Sequence, residues 1–600
     1  MFRTDGASAD PVLLQSMTEF LSVRGPDAQA AWFDGPAGMG HALFRTTREA
    51  AGEHQPLSLD GRTRIVADAR LDAREELCAA ISARLGLQPA LPTNRPDAEL
   101  LLRAFEAWGE SCVEYLLGDF SFVIWDAAAR RVFCARDQLG NRPLFYARTP
   151  GALLIGNTLE ALRLDPQVSD RLDDSAIADF LVTGNILGPA TTAFQDIARV
   201  PAGHVLAGTP ERFDVRRYWS LPIEAPLRRR EAEVAEEFRA LLHQAARDRL
   251  RTDRATFSMS GGLDSTSVAA ACCEVVGKQA ARDSFLGITY VFERAMPDRE
   301  GHYAKIAADH FGFPITLLAL DREDFWESLM AKRVPTAEPV NSSGDAVDRK
   351  WQEAAGPYGR VQLTGHGGDI LLKPSLDGYR GERLPLLFWD VGRYMMRHGR
   401  LPKAGFHMTW RRWRGRKRSH PEFPTWLNPD LVARFDLRAR WRDWYSERPR
   451  VHPFRPDAYA SLTSPFLARD LASYDTGARA KPVETRHPLF DLRLVRFCLR
   501  LPAVPWCADK YLLRAAMRGA LPREILHRPK TPLATSSLPA MANDAGRVHS
   551  FRPAPGLEAY VVGDRASSVV STEDMSGIDL RPLHLNLWLQ TYRGFRYKVW

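Results

Sequence analysis

The sequence predicts two domains of different fold class: an α+β domain over residues 1–215, followed by an α/β domain with a parallel sheet over residues 216–600. At 600 residues the chain is longer than one hydrophobic core usually serves. The first part alternates short strand and helix patterns, as layered α+β domains do. From about residue 230 the elements alternate as βα units, which predicts helices on both faces of the sheet and a ligand at the carboxyl ends of its strands.

Each element of this division rests on a local pattern of apolar residues. In the first domain we predict strands at Arg64–Ala67, Phe120–Trp125, Arg131–Ala135 and Leu153–Gly156, and helices at Val12–Val23 and Ala98–Trp108. In the second we predict helices at Glu233–Arg249, Ser265–Val276 and Glu300–Phe311, and strands at Ala255–Met259, Phe285–Phe292, Ile315–Leu320 and Val361–Thr364. An arginine-rich stretch, Leu227–Glu231, marks the boundary.

Composition indicates a soluble globular protein, with 45% apolar and 26% charged residues. No apolar run reaches the roughly 18 residues that span a bilayer, and the first residues show no signal-peptide pattern, so we expect a cytoplasmic protein without a transmembrane segment. The seven cysteines are scattered and lack CxxC spacing, which argues against a disulfide framework or a zinc site. The net charge of +8 is modest for this length, so its distribution matters more than its sum.

The strongest motif is a strand, a tight turn and a helix at Phe257–Val268, which reads Phe-Ser-Met-Ser-Gly-Gly-Leu-Asp-Ser-Thr-Ser-Val. Such a turn directs backbone N–H groups and the positive end of a helix dipole at one point, which suits a polyphosphate. The glycines allow close approach of the anion, the hydroxyl groups add donors, and Asp264 places a carboxylate where Mg²⁺ would bridge it to phosphate. The predicted nucleotide-binding residues are Ser260, Gly261, Gly262, Leu263, Asp264, Ser265, Thr266 and, from a second loop, Gly365.

The second loop, Leu363–Ile370, again joins a strand to glycines and a carboxylate. Because both loops follow parallel strands, we expect them to face one pocket, with Asp264 and Asp369 sharing the magnesium ion. An alternative for Asp369 is a helix N-cap. His366 stands between the glycines, and an imidazole with an ordinary pKa near 6.5 is suited to accept a proton from an amine. Its alternative is packing or phosphate binding alone, and Glu382 and Asp390 are the carboxylates considered as its partner.

The Ser-Gly-Gly-Leu-Asp-Ser-Thr-Ser run resembles the pyrophosphate-binding loop of ATP pyrophosphatases, which adenylate their substrates. It differs from the GxxxxGK[ST] loop because no lysine follows the glycines, so adenylation is favoured over γ-phosphoryl transfer. Later strings, Val483–Asp491, Asp509–Arg514 and His527–Lys530, resemble the same region of asparagine synthetases. The resemblance implies that Lys530 neutralises charge as pyrophosphate leaves.

Three strings of the first domain, Arg24–Asp27, Gly118–Phe122 and Ala135–Tyr146, resemble the N-terminal glutaminase domain of asparagine synthetases. The resemblance implies an Ntn-type fold with two stacked sheets between helices. That family uses an N-terminal cysteine as nucleophile, whereas position 2 here is Phe2 and the first cysteine is Cys78. Its Asn-Gly-Glu substrate loop appears here as Ala67–Leu71, reading Ala-Asp-Ala-Arg-Leu. We therefore predict a degenerate class II amidotransferase domain without glutaminase activity.

A basic, tryptophan-rich insertion occupies about residues 379–449 and includes Trp410–Arg418 and Arg438–Trp444. Basic residues interleaved with aromatics suit RNA, an acidic peptide or anionic lipid, although a solvated charged face is also common. We favour a peptide or protein partner and expect no nucleic acid, because the rest of the chain resembles no RNA-modifying enzyme.

Within the asparagine synthetase superfamily the chain is most similar to the lasso peptide cyclases, with the β-lactam synthetases as near relatives. The resemblance implies ATP and Mg²⁺ as cofactors, a leader-cleaved precursor peptide as substrate, and a leader peptidase and leader-binding protein as partners. Asparagine synthetases carry Glu and β-lactam synthetases Tyr at the position of His366. Three alternatives stay open: a β-lactam synthetase-like small-molecule ligase, a non-catalytic scaffold for peptide maturation, and an RNA-modifying ATP pyrophosphatase.

Overall fold

The computed structural model describes residues 1–293, 298–320, 336–341, 344–402, 422–446, 450–475, 483–529, 552–562 and 580–592, and for residues 344–349 the backbone alone. Within these ranges no helix is long and apolar enough to span a membrane.

The first domain contains two six-stranded antiparallel sheets. One sheet has the strand order β10-β8-β9-β1-β3-β2 and the other β12-β11-β7-β6-β5-β4. Their bounds are β1 Phe2–Arg3, β2 Ala28–Asp34, β3 Ala37–Leu43, β4 Leu57–Ser58, β5 Thr63–Leu71, β6 Gly118–Asp126, β7 Arg131–Arg136, β8 Phe145–Thr149, β9 Ala152–Gly156, β10 Ile197–Arg199, β11 His204–Gly208 and β12 Phe213–Arg217.

An apolar layer lies between the two sheets, which therefore stack face to face. Side chains of both sheets meet there, among them Phe2, Met39 and Leu153 from the first and Trp125 and Cys134 from the second. Helices cover the outer faces: α1 Pro11–Phe20, α2 Arg74–Leu85, α3 Asp97–Trp108, α4 Leu159–Leu162 and α5 Asp174–Thr183. The predicted stacked-sheet α+β domain is thus confirmed.

The second domain is built on a five-stranded parallel sheet with the order β15-β14-β13-β16-β17. Its strands are β13 Ala255–Ser258, β14 Phe285–Val291, β15 Ile315–Ala319, β16 Val361–Thr364 and β17 Glu484–Arg486. The chain runs outward from β13 in one direction and then returns to its other side at β16. The carboxyl ends of β13 and β16 therefore flank the switch point, where sheets of this kind bind their ligands.

Most helices of the second domain pack on the faces of the parallel sheet and extend the largest apolar core of the molecule, whereas the helices at 429–434, 437–445 and 581–592 pack in an apolar cluster with the first domain. Their bounds are α6 Glu231–Arg249, α7 Leu263–Val276, α8 Lys278–Ser284, α9 Glu300–Phe311, α10 Gly344–Ala355, α11 Gly368–Leu371, α12 Leu384–His398, α13 Pro429–Arg434, α14 Leu437–Tyr445, α15 Pro456–Leu462, α16 Pro465–Ser473, α17 Leu492–Arg500, α18 Ala503–Trp506, α19 Tyr511–Ala516, α20 Arg523–Leu526 and α21 Arg581–Tyr592.

The basic insertion is described only in part, because Trp410–Arg418 lies outside the described residues. The predicted stretch Arg438–Trp444 falls within α14, whose Trp441 is buried in the apolar cluster that also contains the first domain's Phe180. Arg440 of the same helix pairs with Asp179 of α5 at 2.7 Å. This part of the insertion is therefore used to dock the two domains.

Candidate functional site

The two glycine loops meet at the switch point between β13 and β16. A Cβ atom added to Gly365 would lie 2.4 Å from the backbone nitrogen of Ser265, and one added to Gly368 would lie 2.3 Å from the carboxyl carbon of Asp264. The atoms that crowd Gly365 are backbone atoms, so this position requires glycine, whereas those that crowd Gly368 belong to the Asp264 carboxyl group, which would have to turn away. The two loops are therefore in contact, as predicted from the sequence.

The first loop turns sharply before α7 begins. Gly261 has a φ of +59°, and a Cβ atom there would lie 2.5 Å from the backbone nitrogen of Ala304. The hydroxyl of Ser260 accepts the N–H of Gly262 at 3.2 Å, and the N–H of Ser260 donates to the Ser265 hydroxyl at 3.3 Å. The loop is thereby held with the N-terminal end of a 14-residue helix behind it, an arrangement that attracts anions.

Three of the predicted nucleotide-binding residues have buried side chains. Thr266 is fully buried in α7, and Ser265 and Leu263 are nearly so. The open side of the loop is therefore formed by Ser260, Gly262 and the carboxylate of Asp264, with Leu263 and Thr266 anchoring the helix beneath it.

Asp264 and Asp369 converge on one cation, the ammonium of Lys510. The Lys510 Nζ atom is in contact with the Asp264 carboxylate and lies 2.8 Å from Oδ1 of Asp369. Burial by itself lowers the pKa of Lys510, but the two carboxylates outweigh it and raise the pKa above its ordinary value. The lysine is therefore held in its charged form.

Sequence reasoning did not include Lys510 in the site. Asp509 and Lys510 both have a φ of +53°, a left-handed conformation that non-glycine residues rarely adopt and that concentrates at functional sites. Lys510 also precedes the first turn of α19, where a positive charge opposes the helix dipole. A lysine at the N-terminal end of a helix is unfavourably placed, and this feature of the sequence could have indicated that Lys510 belongs to the site.

A second missed residue is Arg528, which braces the first loop from outside. One Nη atom donates to the carbonyl of Ser260 at 3.1 Å and the other to Glu300 at 2.7 Å, while the guanidinium lies 4.2 Å from the ring centre of Tyr303. Lys530, predicted to neutralise the leaving pyrophosphate, lies outside the described residues.

His366 is paired with a carboxylate from another helix. Its Nε2 atom lies 2.9 Å from Oδ2 of Asp470 in α16, and both side chains are about 30% exposed, at 29% and 30%. The rings of Tyr474, His487 and Phe490 surround the imidazole at centroid distances of 5.7, 5.5 and 5.2 Å. A partly exposed imidazole beside a carboxylate in an aromatic setting is an arrangement suited to proton transfer.

The neighbouring His487 is a structural residue. It is buried, and its Nδ1 atom lies 2.7 Å from the hydroxyl of Thr364, whose oxygen also accepts the N–H of His366 at 3.2 Å. Burial and the nearby His366 lower the pKa of His487 well below its ordinary value, so this ring is neutral at physiological pH.

Asp470 takes the place that was predicted for Glu382 or Asp390 beside His366. Glu382 is exposed on a short 3₁₀ turn, and within the described residues it forms no ion pair with His366. Asp390 is buried, accepts the hydroxyl of Tyr379 at 2.9 Å and lies 3.9 Å from Arg228. Sequence proximity is misleading here because α16 is brought to the site by tertiary packing.

A cavity of about 210 Å³ lies between the two domains. No cysteine is among the described residues that line it, and all seven cysteines are buried and free of disulfides. Phe2 is packed between the sheets with its ring centroid 5.1 Å from that of Trp125, and burial raises the pKa of Cys78. The cavity extends to the aromatic residues around His366, through Tyr474 and His487.

The segment Ala67–Leu71, which stands where the family's glutamine-binding loop is expected, is part of β5. Asp68 accepts from Arg24 and lies 3.4 Å from Nε of Arg142, and the fully buried Arg70 pairs with two carboxylates of its own domain. The polar side chains of this segment are thus engaged with fixed protein charges.

Comparison with known proteins gives two family matches. Residues 3–219 match the glutamine amidotransferase domain and residues 237–548 match asparagine synthase. The chain is 26% identical over 553 residues to the glutamine-hydrolyzing asparagine synthetase 3 of Bacillus subtilis, spanning 86% of this chain and 83% of that protein. It is 25% identical over 570 residues to a putative glutamine-hydrolyzing asparagine synthetase of Mycobacterium bovis, spanning 88% and 84%.

A third relative is the amidase chry2 of Gibberella zeae, 27% identical over 400 residues, which are 61% of this chain and 57% of that protein. The predicted superfamily is confirmed by these matches and by the two folds in their expected order. The chain belongs to the asparagine synthase family, the ATP-dependent carbon–nitrogen ligases.

Proposed function

We propose that this chain is a lasso peptide cyclase, which activates an Asp or Glu side chain of a peptide with ATP and joins it to the N-terminal amine of the same peptide. The observation that carries the proposal is the cavity between the two domains, whose described lining residues include no cysteine. Ammonia from glutamine then has no nucleophile to release it. The amine must therefore arrive with the substrate.

The nucleotide loop supports the activation step. Ser260, Gly262 and the start of α7 offer donors for the phosphates of ATP. Asp264 and Asp369 fit a magnesium ion, since two carboxylates that already share one cation are the oxygen ligands this ion prefers. When bound, the ion supplies positive charge for the pyrophosphate.

In the first half-reaction, an oxygen of the substrate carboxylate attacks the α-phosphorus of ATP, and the bond to pyrophosphate breaks. The charged Lys510 steadies the negative charge that develops on the leaving group, and the same role is proposed for Lys530. Arg528 holds the loop from behind by bonding the Ser260 carbonyl.

In the second half-reaction, the amine nitrogen attacks the acyl carbon and the bond to AMP breaks. The Asp470 carboxylate beside Nε2 of His366 favours the proton on that nitrogen, which leaves Nδ1 to accept the proton of the amine. Because amine and acyl group belong to one peptide, the attack is intramolecular and benefits from a high effective concentration.

The test is incubation of the full chain with ATP, Mg²⁺ and the leader-free core peptide encoded beside its gene. We expect the peptide to lose one water and AMP to form in equal amount, with or without glutamine. Glutamate release from glutamine, or no AMP with any carboxylate-bearing peptide, would exclude the proposal. The Asp264→Ala variant should lose both products, whereas a non-catalytic scaffold would keep its full effect on peptide maturation.

The β-lactam synthetase alternative separates in the same assay. A small-molecule ligase would form AMP with a short amino-acid derivative and leave the core peptide unchanged. Mass spectrometry of both acceptors, offered separately, distinguishes the two reactions.

A further inference from the structure

The solvent face of α12 carries a row of apolar side chains, Leu386, Phe388, Trp389, Met395 and Met396, which we name the α12 ridge. Phe388 is 69% exposed, Trp389 59% and Met396 82%. Successive residues of a helix are about 100° apart, so these side chains project from one continuous outer arc. Large apolar side chains that are grouped in this way commonly mark an interaction surface.

The opposite face holds the helix firmly to the body of the protein. Leu387, Asp390 and Tyr394 are buried, and the rings of Tyr394 and His398 lie 6.0 and 4.9 Å from that of Tyr511. Tyr511 directly follows Lys510 of the nucleotide site. The ridge is therefore presented on a fixed element.

Arginines border the ridge. Arg393 is exposed on α12, Arg400 is exposed two residues beyond the end of the helix, and Arg228 lies 3.9 Å from Asp390 on the buried side of the helix. Arg397 and Arg518, 60% and 62% exposed, share the single carboxylate of Glu231 at 2.8 and 4.0 Å. The carboxylates that pair with these arginines are Glu231 and, on the buried side of the helix, Asp390, so the arginines outnumber their carboxylate partners.

We propose that the α12 ridge binds the surface of an anionic lipid bilayer. Aromatic and methionine side chains on one helical face, with arginines along its edge, are the pattern of helices that lie in the bilayer interface. The arginines would meet anionic headgroups while the ridge enters the boundary of the acyl chains. The ridge is convex, with its side chains standing out into solvent, and a fluid interface can close around such a projection without a preformed groove.

The experiment is co-sedimentation of the full chain with vesicles of pure phosphatidylcholine and of equimolar phosphatidylcholine and phosphatidylglycerol. We expect binding to the anionic vesicles that weakens with added NaCl. The double variant Trp389→Ser/Met396→Ser should lose about tenfold or more in affinity. Arg393→Glu/Arg400→Glu should lose roughly fivefold for each arginine at low salt.

The matched control is Val12→Ser, which removes an apolar side chain that is 66% exposed on α1 and should bind as wild type. Circular dichroism and the Tm verify that each variant is folded. The proposal is overturned if the ridge variants bind anionic vesicles as well as wild type does, or if wild type binds none. It is also overturned if sedimentation velocity shows a dimer that the ridge variant abolishes without any vesicle binding, since a second copy would then cover the ridge.

Discussion

At the scale of single residues, the proximity of His366 and Asp470 bears on the second half-reaction, in which the amine loses a proton. The two side chains come from the loop after β16 and from α16, which are more than a hundred positions apart in the chain. An imidazole oriented by a carboxylate can take one proton and pass it on, whereas the nucleotide loops activate the carboxyl group. The two halves of the reaction should therefore be separable by mutation.

The Asp470→Asn variant tests this separation. We expect amide formation to fall on the order of 10²-fold, because an amide neither fixes the tautomer of His366 nor stabilises its protonated form. ATP–pyrophosphate exchange should remain close to wild type, because the carboxylate lies outside the nucleotide loops. The control is Asp443→Asn, which changes an exposed carboxylate on α14. Equal loss of exchange and amide formation would assign Asp470 a purely structural role.

Glu53 gives a prediction about pH. It is buried in the wall of the interdomain cavity, and burial together with the charge of Asp97 raises its pKa to about 7. Because the pKa of Glu53 is higher in the folded than in the unfolded state, its contribution to stability is fully present below the unfolded-state pKa, near 4.3. That contribution is lost as the pH rises through the folded-state pKa of about 7.

We therefore expect Glu53→Gln, which keeps the shape without the charge, to raise the free energy of unfolding at pH 8 by as much as about 3 kcal/mol. At pH 5 the variant should differ little from wild type. Thermal unfolding at both pH values measures the effect, and Glu76→Gln at an exposed position of α2 is the control. If the difference in stability between Glu53→Gln and wild type is the same at pH 5 and pH 8, the raised pKa of Glu53 is contradicted.

At the scale of elements, the interlocked glycine loops are the most constrained feature of the site. The atoms that crowd a Cβ at Gly365 are the backbone nitrogen and Cα of Ser265, at 2.4 and 2.6 Å, so no side-chain rotation relieves the contact. One loop has to move away from the other. This movement would also separate Asp264 from Asp369.

Gly365→Ala should lower the free energy of unfolding by about 1–3 kcal/mol, as overpacking does, and weaken ATP binding about tenfold. Gly392→Ala in α12 is the matched control: nothing lies within 4 Å of its added Cβ, and alanine favours the helix. Differential scanning fluorimetry with and without ATP reports both quantities. An unchanged Tm for Gly365→Ala would show that the loops have room to adjust.

Both loops could be predicted because their strands, glycines and carboxylates are adjacent in the sequence. The predicted bounds coincide with the observed ones for Glu300–Phe311 and Val361–Thr364, and elsewhere they differ by at most four residues, as with Glu233–Arg249 for α6, which starts at Glu231. Strand β17 was not predicted, since Glu-Thr-Arg is polar and its pairing with β16 comes from tertiary packing. Lys510 and Asp470 were missed for the same reason: they reach the site only through the packing of distant helices.

At the scale of the whole molecule, buried ion pairs join the first domain to the second. Arg249 donates to Asp491 at 2.9 Å and lies 3.3 Å from Asp72 of the first domain, and all three side chains are buried. Arg493 of the second domain donates to Asp491 at 2.7 Å, and the fully buried Arg486 donates to the carbonyl of Thr46 across the interface at 3.1 Å. The first domain thus supports the second, whatever its own chemistry.

This network also reaches the reaction site. Asp491 caps α17 by accepting the N–H of Arg493 at 2.9 Å, and the residue before it, Phe490, lies with its ring centroid 5.2 Å from that of His366. A shift of the domain interface would therefore move the wall beside the imidazole. The first domain would then influence catalysis only by fixing the position of the residues that surround His366.

The Arg249→Met variant tests that role. Removing one member of a buried charge network leaves carboxylates without full compensation, which typically costs about 3–5 kcal/mol. We expect calorimetry to show a lower Tm and the unfolding of the two domains as separate transitions, with amide formation reduced more than ATP–pyrophosphate exchange. Arg48→Met is the matched control. Arg48 also pairs across the interface, with Asp253 at 2.9 Å, but both of these side chains are largely exposed. An exposed pair of this kind contributes at most about 1 kcal/mol to stability. If the two variants unfold alike, burial of the Arg249 network does not couple the domains.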